Sequence, residues 1–454
     1  MPDPAEERAR APRSPRIVPT DIPHSAFDQN ALRVVSRLQR EGNEAYLVGG
    51  CVRDLLLGRR PKDYDVATSA TPRGVKSLFF NGRIIGRRFK LVHVRYGEQV
   101  IETATFRRAP ERGEGEGDDL LIVEDNNWGT AQEDAQRRDF TINALFLDPY
   151  RREILDYIGG LEDLEAGVLR TIGDPYVRMA EDPVRILRAI KFATRLGFRI
   201  DEATWDAMVE HADDLARSAK PRVMEEILRL LRSGTALGAL RMMRKCGVLR
   251  VMLPQLDLHV GSHDSADPQA HDRADSVWRL LEALDSYVHE KHVPATATCI
   301  AALFLRMIER DAAIDPRTHA GDIGGRELLE LVGRRIEPFA VEYRLAKRDG
   351  YKAARAIALQ RNFTQTPTKR FSPLLFARDQ DFPEALELFR LRCSAWGQGW
   401  DVYEAWLERA AEARAAPPEA LEVERKHKRR RGRRRGSRPG TPRGGDAEET
   451  SLEA

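Results

Sequence analysis

Asp63-Tyr64-Asp65 is the first place in this chain where residue types and spacing could do chemistry. On a strand, residues two apart project to one face, so both carboxylates would point together while Tyr64 and Val66 face the other way. Carboxylates that close repel unless a cation lies between them. Hard oxygen ligands on a rigid strand suit Mg2+, which takes one or two carboxylates plus substrate phosphates. Alone, such a pair is common on ordinary surfaces. Gly49-Gly50 strengthens it, because these glycines fall between an expected strand and an expected helix, where bare backbone N–H groups can hold phosphate. Glu102 is a candidate third strand carboxylate. It interrupts the apolar face Val100, Ala104, Phe106, which fits either a functional position or an edge strand whose glutamate reaches solvent.

Two later segments carry further polar groups. In Arg137-Arg138-Asp139-Phe140-Thr141-Ile142-Asn143, the charges abut apolar residues, so Asp139 and Asn143 could contact a ribose hydroxyl or the metal. In Glu181-Asp182-Pro183-Val184-Arg185-Ile186-Leu187-Arg188, Asp182 followed by Pro183 is expected to be the N-cap and first residue of a helix. Arg185 and Arg188, three apart, share a face of that helix one turn from the aspartate. An aspartate accepts hydrogen bonds and an arginine donates them. Together they match a base edge with an amino donor beside a ring-nitrogen acceptor, the pattern of adenine and of cytosine.

The elements that must position these groups follow from the apolar pattern. Phe27, Leu32, Val35 and Leu38 with Asp28 near the start predict an amphipathic helix. Residues 45–48 predict a short buried strand, 52–57 a helix closed by Gly58, and 63–67, 90–96 and 100–106 strands of one mixed sheet. Residues 111–119 are a loop by composition. Beyond Gly160 helical periodicity dominates. Residues 221–231 are an example, with Pro at the first turn and Val223, Ile227, Leu230 and Leu231 on one stripe. The expected fold class is α+β: residues 1–20 a disordered arm, 21–160 a head with a mixed sheet, 161–235 a helical neck, 236–416 a helical body, and 417–454 a disordered basic tail.

At 454 residues, with 42% hydrophobic and 32% charged residues, the chain is too long for one core and heavily solvated. No apolar run approaches a membrane span, and residues 1–20 lack the apolar stretch of a secretory signal. Four dispersed cysteines without a CxxC pair argue against a zinc ribbon or disulfide scaffold and fit a reducing cytoplasm. The net charge of +3 conceals an asymmetry: residues 425–443 carry eleven Lys/Arg and no acid, so removing them leaves −8. Arg429, Arg430, Arg431, Arg433, Arg434 and Arg435 form the densest part of that tail, expected to bind the phosphates of a nucleic acid rather than only to aid solubility. His259, His263-Asp264 and His271-Asp272 suggest a metal phosphohydrolase, but a polar loop entering a helix describes them better. Trp400, Tyr403, Leu407 and Ala410 fall on one stripe, for which core packing is the expectation.

The strings LVGGCVRDLLLGRRPKDYDVATSATP (47–72), RRDFTINALF (137–146) and EDPVRILRAIKFATRLGF (181–198) resemble the bacterial class II nucleotidyltransferases of the polymerase-β-like superfamily, in that family's order. The resemblance covers roughly residues 25–235. The family contains poly(A) polymerases and CCA-adding tRNA nucleotidyltransferases. It implies an α/β head, a helical neck with the base-reading motif and an RNA-binding helical body. By position, Asp63 and Asp65 look like the metal carboxylates. Gly49, Gly50 and Arg53 match the phosphate-side motif, and Arg138, Asp139 and Asn143 the motif of ribose selection and the catalytic centre. Glu181, Asp182, Arg185 and Arg188 match the base-reading segment, and Glu102 the third strand carboxylate. The segment IIGRRFKLVHVRYG (84–97) and the basic tail resemble the poly(A) polymerase form.

The implied activity is template-independent addition of AMP from ATP to RNA 3′ ends, with two Mg2+ ions and release of pyrophosphate. CCA addition to tRNA is the sibling alternative. A non-catalytic RNA-binding protein is the alternative of another class, disfavoured because a binding module has no need of clustered like charges such as Asp63, Asp65 and Asp139.

Overall fold

The computed structural model describes residues 14–86, 90–108, 127–261, 268–315, 321, 323–365 and 371–417. The acidic loop at 111–119, His263-Asp264 and the arginine tail fall outside them. The chain divides into two compact units, residues 1–258 and 259–454.

The first unit is built on an eight-stranded mixed sheet in the order β1-β8-β7-β2-β3-β6-β5-β4. These strands are β1 (Arg16–Pro19), β2 (Ala45–Val48), β3 (Asp65–Thr68), β4 (Gly82–Ile85), β5 (Leu91–Tyr96), β6 (Gln99–Thr105), β7 (Leu145–Asp148) and β8 (Glu153–Asp156). Only β3 and β6 run parallel, and every other neighbouring pair is antiparallel. Two helices cover one face: α1 (Gln29–Arg40) packs on β2, β3 and β6, while α3 (Pro72–Leu78) packs on β4, β5 and β6. The short α2 (Gly50–Leu56) lies between them in sequence. Asp28 caps α1 as expected, accepting from the backbone N–H of Asn30 and Ala31, each at 2.9 Å. The apolar stripe Leu32, Val35 and Leu38 is buried.

Several elements depart from expectation. Residues 16–19, expected within a disordered arm, pair with β8 as an edge strand, because β8 offers a free ladder that Ile17 and Val18 can extend before Pro19 ends it. Glu102 is not on an edge, since β6 lies between β3 and β5. The region after Gly160 is helical apart from the two-residue strands β9 (Val168–Leu169) and β10 (Arg199–Ile200), which pair in parallel. Its helices are α5 (Gly160–Glu165), α6 (Pro175–Glu181), α7 (Val184–Leu196), α8 (Glu202–Glu210), α9 (Lys220–Leu231), α10 (Ala236–Lys245) and α11 (Val248–Met252), preceded in the head by α4 (Ala131–Arg137). On α9 the four stripe residues Val223, Ile227, Leu230 and Leu231 are all buried.

The second unit is all helical among the described residues. Its aromatic centre is Trp406, 1% exposed, packed against Phe363, Phe376 and Phe382 and donating Nε1–H to the Phe363 carbonyl at 2.9 Å. That corrects the expected stripe. Trp400 and Leu407 stay 39% and 42% exposed, because Trp406 turns the neighbouring face inward. His259 is buried, and desolvation with nearby arginines pushes its imidazole down to about 4. Among the described residues no helix is long and apolar enough to cross a membrane.

Candidate active site

The site begins where β2 ends. Gly49 has φ +74 and ψ −132, a conformation only glycine adopts readily, and a Cβ there would stand 3.2 Å from an Arg138 guanidinium nitrogen. This turn starts α2 beside the head of β3, since Val48 pairs with Asp65 across the sheet. The strand expected over 63–67 starts only at Asp65, so Asp63 stands in the bend that leads into it; the burial still alternates, with Tyr64 and Val66 buried, Asp63 exposed and Asp65 half-buried. The Tyr64 hydroxyl, on the helix-covered side, donates to the Ala26 carbonyl at 2.7 Å, and burial pushes it up to about 12.

Asp65 is a strongly perturbed carboxylate. Burial first and Glu102 second push its carboxyl up to about 6, with Asp63 adding to the shift and Arg138 opposing it. Glu102 lies directly across from Asp65 in the parallel pair, and His93 of β5 directly across from Glu102. His93 Nε2 is 3.5 Å from Glu102 Oε1, yet it is buried and makes no hydrogen bond. Three adjacent strands thus present Asp65, Glu102 and His93 in one row.

A desolvated carboxylate crowded by two like charges and faced by one arginine suits a divalent cation. Among the described residues no three His, Cys, Asp or Glu side chains converge on one metal position. Asp63 and Asp65 would be the protein's donors, a pair that suits Mg2+ completed by phosphate and water and not a closed protein cage. A stability consequence follows. The folded value of Asp65 lies above its ordinary 3.8, so its neutral form favours the fold below about pH 4 and that advantage is lost as pH rises through 6. In chelator, Asp65→Asn and the parent should melt together near pH 4. At pH 7.5 the parent should melt lower, and Mg2+ should raise the parent alone. Equal melting at both pH values would contradict this.

The Arg137–Asn143 segment is held differently from expectation. Thr130 and Glu133 form a capping box at the start of α4. Arg138, at its end, donates Nε and Nη2 to Asp134 Oδ2 at 3.1 and 2.9 Å and Nη1 to the Asn143 carbonyl at 3.3 Å. Asp139 has no oxygen left for a metal. Its Oδ2 accepts from Arg188 Nε and Nη2 at 2.9 and 2.5 Å, and its Oδ1 from the Phe140 N–H at 2.8 Å and Asn143 Nδ2 at 3.3 Å. Burial alone would raise its pKa, but the Arg188 charge and these hydrogen bonds outweigh it and hold the carboxyl below the usual range. Asn143 Oδ1 accepts from Arg53 Nη1 at 2.6 Å, while Arg53 Nε and Nη2 donate to Asp54 Oδ1 at 2.9 and 2.6 Å. Arg53 is 2% exposed. The structure therefore gives Arg53 no open route to a phosphate and takes up both Asp139 oxygens, while Arg188 keeps Nη1 without a hydrogen bond among the described residues and about a third of its side chain in solvent. These residues form one buried polar chain that carries on from Arg188 to Glu226 of α9, which also accepts from Lys191 at 2.6 Å.

The 181–188 segment is also rearranged. Asp182 is not a helix N-cap: α7 starts at Val184 after Pro183, and no side chain caps it. The Asp182 carboxylate instead meets Arg222 of α9 in a two-pronged pair, Nη1–Oδ1 3.2 Å and Nη2–Oδ2 2.8 Å. Arg185 Nη1 donates to the Arg178 carbonyl at 2.5 Å and lies 3.5 Å from Glu181. Arg178 Nη2 donates to the carbonyls of Arg137 and Arg138 at 2.7 and 2.8 Å, tying this segment to the one before. Asp182 and Arg185 thus remain neighbours at a half-buried rim, while Arg188 is turned to Asp139 with about a third of its side chain in solvent. Sequence reasoning missed His93, Arg178, Arg222 and Glu226. Only the last two left a trace, four apart on the predicted α9 helix.

The family model described as the poly A polymerase head domain matches residues 45–170, and that described as the probable RNA and SrmB-binding site of polymerase A matches residues 197–259. Poly(A) polymerase I of Haemophilus influenzae is 42% identical over 329 residues, covering 70% of this chain and 72% of that protein. The chain belongs to the poly(A) polymerase I family. A CCA-adding enzyme of Geobacillus is related at 37% identity over 255 residues, 56% of this chain and 60% of its own length. Among solved structures, the Bacillus stearothermophilus CCA-adding enzyme in complex with CTP superposes with a TM-score of 0.61 at 26% identity, covering 85% of this chain and 82% of that one. Within the poly(A) polymerase I family, then, this chain has the fold shared with CCA-adding enzymes, and the head-domain match takes in Gly49, Asp63, Asp65, Glu102 and Asp139 together.

Proposed function

We propose that this protein is a template-independent polynucleotide adenylyltransferase that extends RNA 3′ ends with AMP from ATP. The observation that carries it is Asp65, desolvated and crowded by Asp63 and Glu102, in a chain whose longest quoted match is a poly(A) polymerase I. In the reaction the RNA 3′ oxygen bonds to the α-phosphorus, the α–β phosphoanhydride breaks, pyrophosphate leaves and the hydroxyl proton is lost. Asp63 and Asp65 would hold Mg2+, which supplies a lowered hydroxyl pKa and charge neutralisation of the leaving group when bound. Arg138 balances the carboxylates from the Gly49 side. Glu102, with more than half of its side chain exposed, is in place to help orient the 3′ end. Asp139, Asn143, Arg53 and Arg188 position these elements from beneath.

Asp182 and Arg185 read the incoming base, the carboxylate accepting from the amino group and the guanidinium donating to the ring nitrogen. Arg222 fixes the carboxylate plane in which that reading happens. Arg222→Ala should therefore lower the preference for ATP over GTP about tenfold in kcat/KM, the cost of one misplaced hydrogen-bonded group, with little change in melting temperature. An unchanged preference would remove Arg222 from base reading.

Residues 21–160 serve as head, 161–235 as neck and 236–416 as RNA-binding body in this reading. The match of residues 197–259 to an RNA-binding model supports RNA as the partner. The arginine tail adds sequence-independent phosphate attraction. Four free, buried cysteines fit a cytoplasmic setting. CCA addition is the second reading, favoured by the likeness to the CTP complex and by the shared amino/ring-nitrogen pattern of A and C. Separate incorporation assays with ATP and CTP distinguish the two.

A further inference from the structure

The row that begins at Asp65 does not stop at His93. Arg83 of β4 lies directly across from His93, so Asp65, Glu102, His93 and Arg83 stand on one face of four adjacent strands. Arg95, two residues along β5 from His93, shares that face. The helices α1 and α3 pack on these strands, and the fully buried Val92 and Val94 mark the side they cover. The face of Arg83, His93 and Arg95 is the other one. Both arginines are exposed, and among the described residues neither meets a carboxylate. Asp65 and Glu102 are the acids on this row, and His93 stands against Glu102. At the turn into β4, Phe80 is 98% exposed. It neighbours Asn81, whose side chain donates to the Arg95 carbonyl at 2.5 Å.

We propose that this open face of β4, β5 and β6 holds the 3′-terminal nucleotides of the RNA, with Arg83 and Arg95 on backbone phosphates and Phe80 stacked on a base. This rests on the nucleotidyl-transfer reading. Exposed cations on one sheet face, with an uncovered aromatic ring at the turn into the edge strand, are the features that bind single strands without base readout. The direction of approach selects RNA over the triphosphate. Asp182 and Arg185 are tied to the Arg137–Arg138 backbone, and Arg138 abuts Gly49, on the β2 side of Asp65. In-line displacement brings the attacking oxygen from the side opposite the leaving pyrophosphate. With the nucleotide on the β2 side, the 3′ end arrives over β6 and β5. Three interstrand spacings of about 4.8 Å place Arg83 roughly 14 Å from Asp65, room for more than the terminal nucleotide.

The test uses the full-length protein and a fluorescent oligoadenylate, with anisotropy read at several salt concentrations and no ATP present. The doubly substituted R83S/R95S should bind about tenfold more weakly at low salt, and its log K against log salt slope should be shallower by about 1.4, the release expected for two phosphates on a single strand. Phe80→Ala should weaken binding roughly five- to a hundredfold with the slope unchanged. In steady-state assays KM for RNA should rise in both variants while KM for ATP stays put. RNA affinity and slope equal to the parent's would overturn the proposal. So would a raised KM for ATP with RNA affinity intact, which would put the triphosphate on this face. Nucleotide choice by the parent bears only on the adenylyl-transfer reading, because the binding assay contains no nucleotide.

Discussion

Asp65→Ala should lower AMP incorporation by about a thousandfold or more while leaving RNA binding within a factor of about two. Metal-assisted charge stabilisation at a phosphoryl centre is worth several kcal/mol, and each ~1.4 kcal/mol is a factor of ten in rate. The loss should fall on kcat, because in the proposed reading Asp65 serves the reacting phosphate and not the binding of RNA. Asp63→Ala should behave likewise but less severely, since its carboxylate is exposed and water can take its place. Pyrophosphate release measured under single-turnover conditions reads this directly. An Asp65→Ala protein that retained a tenth of parental activity would remove the metal assignment.

The second large effect concerns stability. Arg188 joins the buried Asp139 carboxylate through two hydrogen bonds on one oxygen. Arg188→Met removes the charge and leaves the aspartate desolvated with only Asn143 and one backbone N–H. Breaking a buried pair from one side typically costs about 3–5 kcal/mol. Arg188 keeps about a third of its side chain in solvent, so the lower end, about 3 kcal/mol, is expected. The pH dependence has a definite sign. The folded Asp139 value is depressed, so in the parent its stabilisation is present above about pH 4 and lost as pH falls through the folded value. The gap between parent and Arg188→Met in denaturant melts should therefore be wide at pH 7 and close in acid. If the variant instead folded normally and only confused nucleotides, Arg188 would be a base reader after all. The double variant Arg188→Met/Asp139→Asn should recover part of the stability, since it removes the stranded charge as well.

Local periodicity made the head legible: β2 matches its expected bounds, and α1 starts at its predicted cap. The strands β1, β4, β7 and β8, no shorter than β2, were not legible, and each is held by a neighbouring ladder. The candidate site was legible as a set of residues but not as a set of roles. A carboxylate such as Asp65 can be assigned from strand parity, because parity fixes direction, whereas Asp63 falls in the bend before β3, where parity does not hold. Asp139, Arg53 and Arg188 cannot, since which of them faces substrate depends on partners up to ninety residues away, as in Arg53 with Asn143. The same limit hid His93. Its importance comes from register across β5, β6 and β3, which no single strand contains. Asp182 shows the opposite failure. Asp-Pro is a sound local signature of a helix start, yet Arg222 from α9 takes the carboxylate, and Pro183 stands at the cap position with no side chain bonding the helix.

The most direct measurement is nucleotide incorporation in Mg2+ on two RNAs, a generic oligonucleotide and a tRNA lacking its 3′ CCA, each given ATP alone, CTP alone, and both. Long A-tracts on the generic RNA, with CTP ignored, are the predicted result. Addition that stops after three nucleotides on the tRNA, and only when both nucleotides are present, would contradict the adenylyl-transfer reading and assign the chain to CCA addition.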